Sequence, residues 1–134
     1  MSVTGADVEA WLERYREAWR TYDEASIAAL FSPDAEYRYH PWDAPLVGRD
    51  EIVRSWLAPN GAASSRDEPG TYEAHYEPFA VGGDEAVAIG WTTYLGPDGE
   101  VVRTYDNAFL LRFDDAGACR SFTEFFMVRP SEAG

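Results

Sequence analysis

Two histidines occur in the chain, and His40 has the chemically richer surroundings, in the stretch EYRYHPWD that runs from Glu36 to Asp43. An imidazole titrates near neutral pH, so His40 could take or give a proton in a reaction. A histidine at the end of a strand can also bond a backbone carbonyl and stay half exposed, and the sequence leaves both interpretations open. His75 stands among glutamates in a later strand, where we expect it on the surface.

Glu124 is a second candidate for acid–base chemistry. In RSFTEFFMV, Phe122, Glu124 and Phe126 alternate onto one face of a predicted strand. If that face points inward, burial should raise the pKa of Glu124 and make it an acid or a base. Two alternatives stay open: Glu124 pairs with an arginine such as Arg103 or Arg38, or the strand has the opposite register and the carboxylate is solvated.

Further residues could line a pocket around these groups. The hydroxyl of Tyr15 either donates a hydrogen bond to a developing negative charge or belongs to an ordinary core aromatic. Alternation places Asn107 on one strand face with Tyr105 and Phe109, and Asp106 on the other. If the Asn107 face lines the pocket, Asn107 could orient a ligand carbonyl, and Asp106 would face outward or into a dimer contact. The other wall candidates, each of which could equally be a packing residue, are Trp19, Tyr37, Tyr39, Trp56, Trp91, Phe122 and Phe126.

Two helices are predicted to open the chain. The first begins after Thr4, whose pairing with Asp7 three residues later resembles a capping box. Asp23 can cap a second, shorter helix that Ser32-Pro33-Asp34 ends. The inner residues of the first helix are Val8, Trp11, Leu12, Tyr15, Trp19 and Tyr22, and those of the second are Ile27, Leu30 and Phe31.

The chemically rich stretch follows as a short strand, predicted from Ala35 to His40 and stopped by Pro41. The segment DAPLVG is expected to be a loop, and Gly48-Arg49-Asp50-Glu51 opens a third helix with acid in its first turn. After Pro59-Asn60-Gly61, the run to Gly70 is predicted to be a small, polar loop. The inner residues of the third helix are Ile52, Val53, Trp56 and Leu57.

The second half of the chain predicts an antiparallel meander. Its hairpin connections are GGD, GPDG and DDAG, which are strong turn signals. Helices first and sheet later indicate a single α+β domain over residues 1–134. The predicted strands are Tyr72–Val81, Ala86–Leu95, Val101–Phe113 and Arg120–Val128.

Composition restricts the partners. The net charge of -13 over 134 residues should repel nucleic acid and anionic membranes, so neither is an expected partner. Cys119 is the one cysteine, and no spacing of histidines and cysteines predicts a metal site. No phosphate-binding glycine loop appears, so no cofactor is expected. We see no signal peptide or transmembrane run, which makes the cytoplasm the expected location.

The order helix, helix, short strand, helix and long antiparallel strands resembles the nuclear transport factor 2-like superfamily. That group includes SnoaL-like polyketide cyclases, ketosteroid isomerases, scytalone dehydratase and limonene epoxide hydrolase. The resemblance implies a curved, cone-shaped sheet that the helices close around a pocket, and a homodimer formed through the outer sheet face. The stretches that carry it are RYREAWRTYDEASIAALF, DAEYRYHP, GRDEI, NAFLLRFDDAG and TEFF.

The ketosteroid isomerase pattern implies roles for single residues. Its oxyanion-donating tyrosine falls on Tyr15, and its aspartate base falls on Tyr39 or, with a shift of one, on His40. Its second oxyanion donor, a protonated aspartate, is replaced here by Phe109. Steroid isomerisation itself is therefore not expected.

We therefore expect a mostly apolar, aromatic-lined pocket that binds a small hydrophobic molecule with a carbonyl or hydroxyl. If the protein is an enzyme, it should catalyse a cofactor-free isomerisation, cyclisation or dehydration by proton transfer. His40 would be the base, Tyr15 the oxyanion donor and Glu124 a second acid or base. The alternative is a non-catalytic module that binds ligands or associates with proteins, because a fold alone does not decide function.

Overall fold

A computed structural model describes residues 2–130 as three helices and a six-stranded sheet. The strands lie in the order β2-β1-β6-β5-β4-β3, with β1 and β6 parallel and every other neighbouring pair antiparallel. The predicted α+β class is confirmed. The bounds are α1 Gly5–Thr21, α2 Glu24–Ala28, β1 Phe31–Arg38, β2 Leu46–Val47, α3 Arg49–Leu57, β3 Tyr72–Gly82, β4 Glu85–Leu95, β5 Val101–Phe113 and β6 Cys119–Val128, with 3-10 turns at Pro59–Gly61 and Ala63–Ser65.

Helix α1 begins and ends where local chemistry requires. Thr4 Oγ1 accepts from the backbone N–H of Asp7 at 3.1 Å, and the Thr4 backbone N–H donates to the Asp7 carboxylate at 2.9 Å, which confirms the capping box. The helix ends at Tyr22, which takes a left-handed conformation with a φ of 50°. Its buried stripe packs on the sheet and holds Tyr15 toward the centre of the molecule.

Strand β1 differs from its prediction at both ends. It begins at Phe31 and ends at Arg38, so Ser32, Pro33 and Asp34 belong to the strand and do not terminate a helix. Pro33 is tolerated because the pairing of β1 with β6 is irregular between Phe31 and Glu36, so the missing N–H breaks no regular ladder. His40 consequently lies in the turn after the strand. The expected DAPLVG loop contains the short strand β2.

The core lies between the helices and the inner face of the sheet. Trp11, Phe31, Phe109 and Phe122 are almost fully buried there, and the Trp11 indole N–H donates to the Leu30 carbonyl at 3.0 Å. Leu30 and Phe31 are inner residues as expected, although α2 ends before them. This large aromatic core adjoins a cavity on the inner face of the sheet.

The outer face of the sheet carries exposed apolar side chains. Ile89, Ala108 and Phe125 pair in one row across β4, β5 and β6, and Leu110 lies in the neighbouring row. Leu110, Phe125 and Met127 are 45%, 40% and 76% exposed. No helix among residues 2–130 has both the length and the apolar character needed to cross a membrane.

Candidate functional site

A cavity of about 830 Å³ opens between the inner sheet face, α1, α3 and the loop that leads into β3. Its walls are more polar than expected, because seven tyrosines line it: Tyr15, Tyr22, Tyr37, Tyr39, Tyr76, Tyr94 and Tyr105. Ten residues predicted for the site do line it, namely His40, Tyr15, Glu124, Trp19, Tyr37, Tyr39, Trp56, Tyr105, Asn107 and Phe126.

Glu124 projects from β6 into this cavity. Alternation places it between Phe122, which is buried, and Phe126, which lines the cavity. Burial raises the pKa of Glu124 from its ordinary 4.5 to about 7, against the opposing effects of a hydrogen bond from Asn107 and the nearby His40. Glu124 does not pair with either arginine suggested from the sequence. Arg38 lies 3.9 Å from the Glu36 carboxylate and donates to the Asp43 backbone carbonyl, and the Arg103 guanidinium lies over the rings of Tyr94 and Tyr105.

A chain of hydrogen bonds leads to Glu124 across four strands, with one residue from each. The Asn107 side-chain amide donates to Glu124 Oε2 at 3.1 Å, and its oxygen accepts from the Thr92 hydroxyl at 3.0 Å. Thr92 has then used its own proton, so the Tyr76 hydroxyl donates to Thr92 at 2.6 Å. Each hydroxyl or amide in this chain donates toward the carboxylate, and the Asn107 amide fixes Oε2. Oε1 receives no hydrogen bond from residues 2–130 and is available to a ligand in the cavity.

Gly90 allows this chain to form. It pairs with Tyr76 across β3 and β4 on the inner face. A Cβ at position 90 would lie 1.9 Å from the His75 carbonyl oxygen and 2.5 Å from Tyr76 Cδ1. The Tyr76 ring therefore occupies space that any other residue at 90 would need, and this brings its hydroxyl to Thr92.

His40 lies at the cavity mouth in a rigid turn. Its Nδ1 is 2.9 Å from Asp43 Oδ2, and the same oxygen accepts from the His40 backbone N–H at 3.2 Å. A carboxylate only accepts hydrogen bonds, so Nδ1 carries the proton and Nε2 is left as the acceptor. The Trp42 ring stacks on the imidazole at 5.0 Å, and Phe126 contacts it at 5.3 Å. These contacts fix the orientation of the imidazole.

Tyr15 lies deeper, at the junction of cavity and core. Its ring stacks near Trp11 and Phe122, and its side chain is only 7% exposed. Burial raises the pKa of Tyr15 well above its ordinary value, followed by the effects of Tyr37 and Glu124. The hydroxyl therefore keeps its proton and can act only as a hydrogen-bond donor or acceptor.

Three residues predicted to line the cavity do not line it. Phe109 and Phe122 face inward as expected but are buried in the core, where no ligand would touch them. Trp91 points to the opposite sheet face, because Thr92 takes the inner position on β4, and its ring lies 6.3 Å from that of its cross-strand partner His75. Trp91 and His75 line a separate groove beside α1.

The cavity also contains functional groups that the sequence did not reveal. Asp43 is one of them, because the turn after β1 brings its carboxylate onto His40. Asp67 lines the cavity from a loop that has no periodicity to orient it. Tyr76, Thr92 and Tyr94 could have been found from strand alternation, since they share the inner face with Ala74 and Ala88.

Comparison with known proteins supports the fold. The family profile described as SnoaL-like domain matches residues 12–121. Among curated proteins, no relative of the chain is found.

Solved structures match over nearly the whole chain. A proposed ketosteroid isomerase from Kribbella flavida is 17% identical, with a TM-score of 0.63, and the match covers 97% of this chain and 84% of that one. An NTF-2 like protein of unknown function from Burkholderia xenovorans is 18% identical, with a TM-score of 0.63 and coverage of 96% and 88%. A protein of unknown function with a cystatin-like fold from Methylobium petroleophilum is 18% identical, with a TM-score of 0.60 and coverage of 99% and 84%. At this identity the neighbours establish the NTF2-like fold alone.

Proposed function

This chain belongs to the SnoaL-like domain family, and we propose that it binds a small, largely unsaturated molecule with a carbonyl or hydroxyl and moves a proton on it. The reaction class is a cofactor-free isomerisation, cyclisation or dehydration. The observation that carries this proposal is Glu124, a carboxyl that faces a cavity of ligand size with a pKa of about 7. An acid–base catalyst works best when its pKa lies near the working pH.

In the proposed step, the Glu124 carboxylate takes a proton from the carbon next to a ligand carbonyl. The electron pair of the broken C–H bond forms a C=C bond, and the π pair of the carbonyl moves to oxygen, which gives an enolate. Return of the proton to a different carbon completes an isomerisation. Protons and electrons balance without an oxidant or reductant. Oε1 is the base in this step, because Oε2 is held by Asn107.

Two kinds of group would assist. Tyr15 keeps its proton, so its hydroxyl is suited to donate to the enolate oxygen. His40 stands at the mouth with Nε2 free and Nδ1 fixed by Asp43, which suits Nε2 to accept a second proton, such as one released by a ligand hydroxyl. We therefore assign Glu124 as the principal base and His40 as the second group that transfers a proton.

The experiment that tests this function needs no knowledge of the natural substrate. We would screen cyclic and aryl ketones for binding by ligand-observed NMR, then incubate the binders with the protein in D₂O. Mass spectrometry would follow exchange at the carbon next to the carbonyl. Wild type should accelerate exchange for at least one binder, and Glu124→Gln should lower the rate by about 100-fold or more. Glu77→Gln, on an exposed glutamate of β3, is the matched control.

The alternative is a ligand-binding module without chemistry. It predicts binders whose exchange rate is the same for wild type and Glu124→Gln. A cavity that binds none of the ketones would contradict both functions and favour a protein-association role.

We also propose that the outer sheet face forms a homodimer interface. The exposed Ile89, Leu110 and Phe125 lie close together on neighbouring strands, and the Asp106–Arg129 ion pair lies on the same face. A patch of this kind can meet its own copy about a two-fold axis.

A further inference from the structure

The cavity contains a second carboxyl, half-buried, whose surroundings suggest the class of ligand. Asp67 lines the cavity from the loop that leads into β3. Its Oδ2 accepts from the Trp19 indole N–H at 3.1 Å, and its backbone N–H donates to the Tyr22 hydroxyl at 3.0 Å. The side chain is therefore held in place from α1. Its second oxygen receives no hydrogen bond from residues 2–130.

Asp67 has no cationic partner in the part of the chain that the structure describes. Burial raises its pKa, and the Trp19 N–H is the one group that acts in the opposite direction. The neighbouring Arg66 is turned away: its Nε donates to the Leu57 carbonyl at 2.6 Å, and its guanidinium lies over the Tyr22 ring at 5.3 Å. A half-buried carboxylate without a counterion is costly, and a bound cation would remove that cost.

Two aromatic side chains hydrogen-bond to Asp67, and a third lines the same cavity. Trp19, Tyr22 and Tyr94 line the same cavity as Asp67. After burial, the charge of Asp67 is the largest influence that raises the pKa of Tyr94. Aromatic rings beside a carboxylate suit an organic ammonium group, since ring faces attract cations, as the Arg66 guanidinium over the Tyr22 ring illustrates.

The charges of the remaining cavity wall agree with a cationic ligand. Three carboxyl groups line the cavity, on Asp43, Asp67 and Glu124, against the one arginine Arg103. The Arg103 guanidinium lies about 6 Å from the rings of Tyr94 and Tyr105 and pairs with no carboxylate of residues 2–130. The chain carries a net charge of -13, which raises the local concentration of cations and lowers that of anions.

We infer that the natural ligand is an organic cation, an amine whose ammonium group sits between Asp67 and the rings of Trp19, Tyr22 and Tyr94. Its unsaturated body then extends along the tyrosine-lined wall toward Glu124. The inference rests on the proposed function, because it assigns a ligand class to the same cavity. It adds a requirement that the acid–base chemistry alone does not make, namely a positive charge on the ligand beside Asp67.

Three probes that share a phenol ring and differ in charge test whether the cavity prefers a cation. Tyramine carries an ammonium, tyrosol a neutral hydroxyl and 4-hydroxyphenylacetate a carboxylate. The readout is the indole ¹H–¹⁵N resonance of Trp19, which reports on the cavity because this N–H bonds Asp67. Tyramine should bind at least about tenfold more tightly than tyrosol, and the carboxylate should bind most weakly. In Asp67→Asn the ratio of tyramine to tyrosol affinity should fall to about one, whereas Asp98→Asn, at an exposed turn, should leave it unchanged.

The other outcomes overturn the inference in distinguishable ways. Equal binding of tyramine and tyrosol would reject the cationic class but leave the ligand-binding cavity and the exchange chemistry intact. Tightest binding of 4-hydroxyphenylacetate would show that Arg103 anchors an anion. Failure of all three probes to shift the Trp19 resonance at about 10 mM would also reject the cation site. The ketone exchange assay then decides separately whether the proposed function stands.

Discussion

Asn107 donates a hydrogen bond to Glu124 diagonally across the β5–β6 pair, at 3.1 Å from Nδ2 to Oε2. This contact favours the ionised carboxyl, whereas burial favours the neutral one, and the pKa of about 7 results from the two opposing effects. The same amide accepts from Thr92 on its other side, so it cannot rotate to turn its oxygen toward the carboxylate without losing both bonds.

Replacement of Asn107 by leucine should raise the pKa of Glu124 further, because burial would then act without the donor that opposes it. The measurement is a ¹³C NMR titration of the Glu124 carboxyl. Thr93→Val, which breaks the hydroxyl pair between Thr93 and Thr104 on the outer face, is the control and should leave the titration unchanged. A Glu124 pKa that stays near 7 in Asn107→Leu would show that this hydrogen bond does not tune the carboxyl.

The dependence of stability on pH should also reveal Glu124. Its pKa is higher in the folded protein, at about 7, than its ordinary 4.5, so the folded state holds the proton more tightly. Stability is therefore highest below pH 4.5 for this group and falls as the pH rises to 7. Relative to Glu124→Gln, wild type should lose up to about 3 kcal/mol of unfolding free energy across that window. Denaturant melts at several pH values would measure it, and parallel curves for the two proteins would contradict the assigned burial.

How much of this site could be predicted depends on which forces place each residue. Strand alternation puts Glu124 on one face with Phe122 and Phe126, so its candidacy follows from a period of two, whereas alternation alone does not decide that this face is the inner one. Asn107 as its donor does not follow, because the diagonal contact depends on the β5–β6 register, which shifts at Arg112 and Phe113.

The features that the sequence did not predict lie mainly in turns, loops and irregular strand pairing. The bond between His40 and Asp43 depends on backbone angles after the strand, which no periodicity encodes. Asp67 lies in a segment without apolar spacing, and its position is set by tertiary contacts to Trp19 and Tyr22. Pro33 was interpreted as a terminator, although an irregular parallel edge accepts it within a strand.

Asp43→Asn should allow the neutral His40 imidazole to adopt either of its two tautomers. The carboxylate now accepts from Nδ1–H at 2.9 Å, whereas an asparagine can present either an acceptor or a donor. The ¹⁵N shifts of the imidazole should move from a single Nδ1–H form in wild type toward a mixture in the variant. Glu36→Gln, whose carboxylate lies 3.9 Å from Arg38 in the same stretch, is the control. A mixture already present in wild type would argue against a positioned Nε2.

Gly90→Ala should disturb the site through Tyr76. The new methyl group would lie 1.9 Å from the His75 carbonyl oxygen, so the strands or the ring must move. We expect a loss of about 1–3 kcal/mol in unfolding free energy. We also expect a shift of the Thr92 and Asn107 side-chain resonances as the Tyr76 hydroxyl leaves Thr92. Gly96 is a useful contrast, because an added Cβ there meets only the flexible end of Glu100. Unchanged resonances in Gly90→Ala would mean that the hydrogen-bond chain does not depend on this close approach.

Leu110→Glu should separate the proposed dimer into monomers. Leu110 is 45% exposed on the outer sheet face, in the row next to Ile89 and Phe125. A self-complementary interface would place this carboxylate close to its own copy, with an unfavourable loss of solvation on both sides. Light scattering at micromolar concentration should give twice the mass of the 15.0 kDa chain for wild type and the chain mass for the variant. Val47→Glu, on an exposed apolar residue of β2, is the control. Because the outer face lies on the side of the sheet opposite Glu124, the monomeric variant should keep the wild-type carboxyl titration, which separates loss of the interface from loss of the fold.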